Sequence, residues 1–301
     1  MVRLLHRMAI VVALFACSLP VTAQSADINH HLRDQYQGKT FLLRGFYSSD
    51  RLRYDSSGVP GNATAGDWTV DGFIQVRDIH LSDDKLIIKA QRMVAARVET
   101  KQLTLLSRKK DSVHLEIKAD PGMHNPAPEQ VDALLSKIFL TSQDSLANLV
   151  PDYWKPCVNE GLKGEDKKCA FAPEFLAIPG VAISSVEDNS STTKTSGESH
   201  DPVYRMVGSF HKDIRPPRVT YQREPEFSES ARAAKFQGVV ILMLVVNKDG
   251  TPTKVRIAQP VGYGLDEKAV EAVESWKFTP GEKDGLPVNI EIAVEVSFHL
   301  Y

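Results

Sequence analysis

The pattern at the C-terminal end of the chain constrains the fold more than any other feature. From residue 289 to residue 300, apolar and polar side chains alternate almost without interruption. Successive side chains of a β-strand point to opposite faces, so this period of two predicts a strand with one face on a core. The apolar face of that strand is made of Ile290, Ile292, Val294, Val296, Phe298 and Leu300.

The preceding residues supply elements that can pack on this strand. Ser228 is suited to cap a short helix, and residues 247–250, Asn-Lys-Asp-Gly, are a hairpin turn signal. We therefore expect residues 216–301 to form an α+β domain of two layers, an antiparallel sheet with two helices. The predicted elements before the last strand are helices over 229–236 and 265–278 and strands over 239–246 and 253–259.

Short motifs at fixed spacing run through the same region. They are Ala231-Arg232, Gln237-Gly238-Val239-Val240, Val245-Val246-Asn247-Lys248-Asp249-Gly250, Gly264-Leu265-Asp266, Trp276-Lys277-Phe278-Thr279-Pro280 and Gly285-Leu286-Pro287-Val288. In these motifs the region resembles the C-terminal domain of the TonB family of energy transducers. Family members usually carry Tyr-Pro before the first helix, where this chain has Phe227-Ser228.

The resemblance implies a way of binding a partner. Domains of this family receive an extended segment of an outer-membrane receptor beside their final strand. This implies a partner-binding edge at Val288, Ile290, Ile292 and Val294, and we expect the polar face with Glu291 and Glu295 to add charge near it. Arg223 and Glu224 match the segment that lies near the docked strand in the family.

The N-terminus resembles an export signal. Basic residues at Arg3 and Arg7 precede an apolar run, and small residues up to Ala23 suit cleavage after that position. We expect residues 1–23 to be a signal peptide and the protein to reside in the periplasm. Two alternatives stay open: a lipoprotein modified at Cys17, and a membrane-anchored chain.

Once the signal is removed, Cys157 and Cys169 are the remaining cysteines. A pair of cysteines in an oxidising compartment predicts a disulfide bond, which would close a short, charged loop. A metal or redox pair is the competing interpretation, although the spacing is too wide for a CxxC motif.

Residues 27–183 alternate short strand patterns with turns. Strands are predicted over 39–46, 68–79, 85–98, 103–106 and 113–118, and a helix follows with Pro128 in its first turn. We expect a small antiparallel barrel or sandwich that belongs to no family we can name. Residues 184–215 are predicted to be a flexible linker, with the polar stretch 184–201 as a mobile hinge between two independently folding units.

The sequence shows no motif for catalysis or for cofactor binding. His30-His31, His114 and His124 have solvated or structural explanations, so no metal site is predicted. Trp276 is expected in the core, and Glu267 with Glu271 on a solvated helix face. A net charge of −2 gives no pull toward nucleic acid.

Three functions remain. The first is a non-enzymatic periplasmic protein that binds a TonB-dependent outer-membrane receptor, another envelope protein or the cell wall through its C-terminal domain. The second is an anchored energy transducer that also contacts inner-membrane motor proteins. The third is an enzyme whose site lies in residues 27–183, and a deep polar pocket there would favour it.

Overall fold

The computed structural model describes residues 21–61, 63–98, 102–107, 114–162, 169–181, 201–205 and 213–300, without the side chains of 21–26, 114 and 160–162. The predicted signal core, the lipoprotein motif at Cys17 and most of the predicted linker lie outside these residues. Among the described residues, no helix is both long and apolar enough to cross a membrane.

The N-terminal part contains both helices and strands. Its helices are α1 (Val21–Tyr36), α2 (Trp68–Asp71), α3 (Pro128–Ile138), α4 (Lys155–Leu162) and α5 (Pro173–Leu176), with a 3-10 turn at Leu146–Asn148. Its strands are β1 (Thr40–Leu42), β2 (Arg51–Tyr54), β3 (Phe73–Ser82), β4 (Lys85–Arg97), β5 (Leu103–Ser107) and β6 (His114–Ala119).

These strands form one six-stranded sheet instead of the barrel or sandwich that we predicted. Its order is β1-β3-β4-β6-β2, and β5 pairs with the second half of β4. The order ends in β1 and β2 without closing, and β2 runs parallel to β6. The alternation in the sequence was compatible with several sheet arrangements, and helices cover this sheet where a second sheet was expected.

Neighbouring residues of the strands contribute to two different cores. Phe41 and Ile74 join a cluster that includes α1 and α3, whereas Leu42 and Phe73 join a second cluster that contains Trp154. Because successive side chains point to opposite faces, both faces of the sheet are covered at this point.

The segment 68–79 is only partly a strand. Asp67 caps α2 by accepting a hydrogen bond from the Thr69 backbone N–H at 2.7 Å, so the first four residues are helical and β3 starts at Phe73. The Asp cap outweighs the alternation that suggested a longer strand. As a result Trp68 is buried against Trp154, with their ring centroids 4.9 Å apart.

The C-terminal part contains α6 (Glu229–Ala234) and α7 (Leu265–Glu274). Its strands are β7 (Val203–Arg205), β8 (Ile214–Arg215), β9 (Arg218–Tyr221), β10 (Gly238–Val246), β11 (Pro252–Gln259), β12 (Lys277–Thr279), β13 (Gly281–Lys283) and β14 (Leu286–Phe298). The six-stranded sheet has the order β11-β10-β14-β13-β8, with β7 paired to β14, and β9 pairs separately with β12.

Local signals predicted five of these elements, namely α6, β10, β11, α7 and β14, and did not predict β7, β8, β9, β12 or β13. Ser228 caps α6 by accepting a hydrogen bond from the Ala231 backbone N–H at 3.0 Å. The predicted helix 265–278, however, ends at Glu274, because the chain turns and its next residues pair with β9 as β12. Trp276 lies beyond the helix and is still 3% exposed, which confirms its place in the core.

The two parts are packed against each other. One hydrophobic cluster holds residues of both, among them Trp154 and Phe175 from the first and Val273 and Trp276 from the second. The backbone of β4 also bonds to the loop before α7: Arg97 N–H donates to Val261 O at 2.8 Å and Tyr263 N–H to Ala95 O at 3.0 Å. Independent folding of the two units stays a prediction; in the structure their residues share this cluster.

The predicted disulfide is present. Cys157 on α4 bonds to Cys169, with their Cα atoms 5.3 Å apart, and both side chains are buried. A closed loop of this length stabilises a fold by roughly 3 kcal/mol in the chain-entropy model.

Candidate functional site: the open edge of the final strand

One edge of the C-terminal sheet contacts the N-terminal part of the chain. This is the outer side of β11, where Ile257 N–H donates to Tyr153 O at 2.9 Å. Next to this bond, Trp154 Nε1 donates to Glu267 Oε1 on α7 at 2.6 Å. Trp154 is fully buried. At Ile257 the outer side of β11 (the β11 edge) is therefore occupied by the N-terminal part of the chain.

The outer side of β14, which faces away from β10, differs along its length. Residues 286–288 pair with β13, so Val288 lies opposite Gly281. Residues 289–291 pair in parallel with β7, which places Ile290 opposite Tyr204. From Ile292 to Phe298, no described residue forms a strand beside this side of β14. We call the outer side of residues 289–298 the β14 edge.

The inner side of β14 is fully occupied. Ile292 pairs with Leu244 and Val294 with Leu242 on β10, in a ladder that runs from Ile290 to Phe298. The side chains of Ile290, Val296 and Phe298 are buried, as the alternation predicted. β14 is thus bonded to β10 along its inner side, and its outer side is the β14 edge.

Glu291, which we predicted to lie on the polar face of the final strand and to add charge near its edge, has little contact with solvent. It is 7% exposed and holds two arginines. Its Oε1 accepts a hydrogen bond from Arg256 Nη1 at 2.8 Å, and Arg205 Nε lies 3.1 Å from its Oε2. The flanking cations explain why a carboxylate occurs here at low exposure, since a buried charge requires a partner. Glu295, in contrast, is exposed as expected.

Arg223 and Glu224 lie in the segment between β9 and α6. They follow β9, which pairs with β12 and not with β14. Arg223 Nη2 donates to Glu226 Oε1 at 2.9 Å, and its backbone carbonyl accepts the Trp276 Nε1 hydrogen bond at 3.0 Å. No hydrogen bond or ion pair of the described residues joins either side chain to β14. Their part in partner binding stays a prediction.

A cluster of carboxylates lies between the two parts of the protein, where we had predicted a solvated helix face. Burial raises the pKa of the Asp266 carboxyl group to about 7. The hydrogen bonds that this carboxylate accepts from the Val261 and Gly262 backbone N–H groups act in the opposite direction and lower the pKa. Burial and then the nearby Asp67 carboxylate raise the pKa of Glu267 well above its usual value. Glu271 remains exposed and bonds Lys268 at 2.8 Å.

The described residues contain no group of three or more His, Cys, Asp or Glu that could hold a metal ion. His31 lies 2.9 Å from the Asp132 carboxylate, and His124 contacts Asp84. A half-open depression of about 680 Å³ is lined by Asp50, Arg51, Lys89, Leu115 and Glu116. That lining has neither a nucleophilic hydroxyl or thiol nor a histidine base.

The comparisons with known proteins concern the C-terminal part. Residues 223–300 match the family model described as Gram-negative bacterial TonB protein C-terminal. Protein TonB of Vibrio cholerae is 31% identical over 87 residues, 29% of this chain and 36% of that protein. Protein tonB2 of Pseudomonas aeruginosa is 29% identical over 77 residues, 25% of this chain and 28% of that protein.

The chain therefore carries a TonB C-terminal domain at residues 223–300. It spans 36% and 28% of the length of the two curated relatives. A solution NMR structure of the Pseudomonas aeruginosa TonB CTD aligns with 34% of this chain and 99% of its own, at 17% identity and a TM-score of 0.23. A score this low adds no argument to the sequence match.

Sequence reasoning missed β7. Its three residues, Val203, Tyr204 and Arg205, follow a long polar stretch, and three residues are too few to show a period. The two β-forming residues after Pro202 were the only local signal.

Proposed function

We propose that this protein is a non-enzymatic component of the bacterial envelope that binds an extended segment of an outer-membrane receptor at the β14 edge. The single observation that carries the proposal is the outer side of Ile292–Phe298, beside which no described residue forms a strand. A strand edge presents N–H and C=O groups in a row, which is a template for an incoming chain.

The family match supports the same partner class. Residues 223–300 include β10, α7 and β14, so the matched region contains the whole inner ladder of the final strand. The arrangement suits a receptor segment that adds beside β14 while β10 holds the strand in place from the other side. Coupling to an inner-membrane motor is a further possibility of the family and rests on no feature of the described residues.

Cysteine cross-linking can test where a partner strand lies. Ala293 and Ser297 are exposed residues of β14 on the same face, and Lys254 is an exposed residue of β11. The probe is a synthetic receptor N-terminal segment with one cysteine, moved along its length in a peptide series. Ala293→Cys and Ser297→Cys each give a cross-linked product, and Lys254→Cys, the matched control, gives none.

The peptide positions that cross-link to each β14 cysteine test the proposal. Strand addition requires that the reactive position of the peptide shifts by four residues between the Ala293→Cys and Ser297→Cys variants, since both strands rise equally per residue. Equal reaction at Lys254→Cys, or products without a positional preference, would refute the proposal. Cysteines are preferred to prolines here because Pro at Ile292 or Val294 also endangers the ladder to β10.

A further inference from the structure

Residues 201–205 already occupy one end of the β14 edge. Three of them form β7, which lies parallel to β14 with Val203, Tyr204 and Arg205 opposite Asn289, Ile290 and Glu291. We propose that this segment is an intramolecular stand-in for the partner, which a partner strand replaces by running in the same direction and placing a basic residue beside Glu291. The inference rests on the function proposed for the β14 edge.

The first argument is direction. Among the described residues, β7 pairs with residues 289–291 of β14, and β14 itself continues to Phe298. A longer strand that enters parallel to β14 at residue 289 makes the bonds that β7 makes and then adds more along 292–298. An antiparallel strand could reach the open portion as well, but it would end against β7. The longer parallel strand therefore has the larger gain on replacing the three residues of β7.

The second argument is charge. Glu291 is held between Arg256, which belongs to the sheet, and Arg205, which belongs to the replaceable strand. When β7 leaves, the buried carboxylate keeps one of its two cations. A partner with Arg or Lys at that register position restores the second cation, whereas an acidic residue there is repelled.

The third argument is the nature of the contacts that hold the segment. Arg205 is 77% exposed, and Val203 is 40% exposed. Lys248 bonds Asp201 at 2.7 Å, and Lys283 lies 4.7 Å from the centre of the Tyr204 ring. The Lys248–Asp201 pair is exposed at both ends, and a pair of this kind contributes little and is screened by salt. The segment is thus attached by contacts that a partner can exchange one for one.

The experiment uses the full-length chain and a chain with Val203→Gly, Tyr204→Ser and Arg205→Ser. The probe is the synthetic pentapeptide Asp-Pro-Val-Tyr-Arg with blocked ends, and binding is followed by the NMR shifts of β14 amides. We expect the peptide to bind the substituted chain at least tenfold more tightly than the wild type, because the wild-type edge is filled. A control chain with Val219→Gly and Tyr221→Ser, on the exposed strand β9, should bind like the wild type.

The substituted chain also tests whether Glu291 selects a basic residue in the peptide. Replacing the final Arg of the peptide with Glu should weaken binding, and Glu291→Gln should abolish that difference while circular dichroism shows the fold intact. Equal peptide affinity for the wild-type and substituted chains, or no shift of β14 amides in the substituted chain, would overturn the inference.

The same chains separate this inference from the proposed function. If the pentapeptide binds the substituted chain but no receptor segment binds any chain, the proposed function fails and the stand-in remains. If receptor segments bind the wild-type and substituted chains equally, the stand-in fails and strand addition remains.

Discussion

The two edges of the C-terminal sheet are covered by different kinds of contact. At the β11 edge, an apolar cluster, a disulfide-bonded helix and the Trp154–Glu267 hydrogen bond fix the N-terminal part in place. At the β14 edge, the described residues place only β7 beside residues 289–291, with ion pairs from Arg205 to Glu291 and from Asp201 to Lys248. Apolar burial gives a permanent interface, whereas exposed ion pairs give one that can be exchanged.

A glycine shows how closely the permanent interface is fitted. Gly262 has a φ of +88°, and a Cβ atom there would lie 2.2 Å from Ala95 O. Both the positive φ and the contact exclude larger residues. The loop before α7 therefore docks on β4 through backbone groups, at a distance that only glycine permits.

The largest expected effect is at the β11 edge. Trp154→Ala should lower the free energy of unfolding by about 3–5 kcal/mol, since it removes a fully buried ring from the shared core. Trp276→Ala should cost a similar amount. Denaturant titration followed by circular dichroism measures both. Tyr221→Ala, at a 55% exposed ring, is the control and should change stability by less than about 0.5 kcal/mol.

Removing the disulfide should have the next largest effect. The double variant Cys157→Ala and Cys169→Ala is expected to lose about 3 kcal/mol, because the unfolded chain regains the freedom that the bond removed. Limited proteolysis should then cut near α4 before it cuts the C-terminal sheet. A double variant as stable as the parent would show that α4 needs no covalent link.

The carboxylates at the β11 edge should make stability depend on pH. The pKa of Asp266 is raised in the folded state from 3.8 to about 7, so the folded protein binds more protons between these values. The free energy of unfolding is then highest near pH 4, falls as pH rises from about 4 to about 7, and levels off above about pH 7. The change is on the order of 1–4 kcal/mol.

Glu267→Gln tests this dependence. The amide oxygen can still accept the Trp154 hydrogen bond, and the variant cannot ionise. We expect a shallower fall in the free energy of unfolding between pH 4 and pH 7 than in the parent. Glu271→Gln, on the exposed face of the same helix, is the matched control and should keep the parental slope. If both variants behave alike, the cluster does not control the interface.

The smallest effect is expected at the β14 edge. Arg205→Ala should change the free energy of unfolding by less than about 1 kcal/mol, since its ion pair is largely exposed and Glu291 keeps Arg256. The same denaturant titration, repeated at high salt, should erase the difference. A loss close to that of Trp154→Ala would mean that the two edges are equally permanent, and the contrast between them would fail.

Local patterns determined much of the C-terminal part. The alternation over 289–300 gave the final strand and its buried face, Ser228 gave the start of α6, and the motif spacing gave the TonB C-terminal domain. The pair Cys157 and Cys169 gave the disulfide. Each of these signals resides within a few neighbouring residues, or in covalent chemistry, so no distant contact was needed to interpret it.

The sequence by itself therefore determined α6, the hairpin of β10 and β11, the start of α7, the final strand β14 and the cross-link. Only the tertiary structure decided that helices, and not a second sheet, cover the N-terminal strands. It also decided that Glu267 faces Trp154 instead of solvent, and that Val203–Arg205 lies on the edge of β14. These outcomes depend on which surfaces meet across large sequence separations, and burial and charge pairing between distant residues leave no periodic trace in the chain.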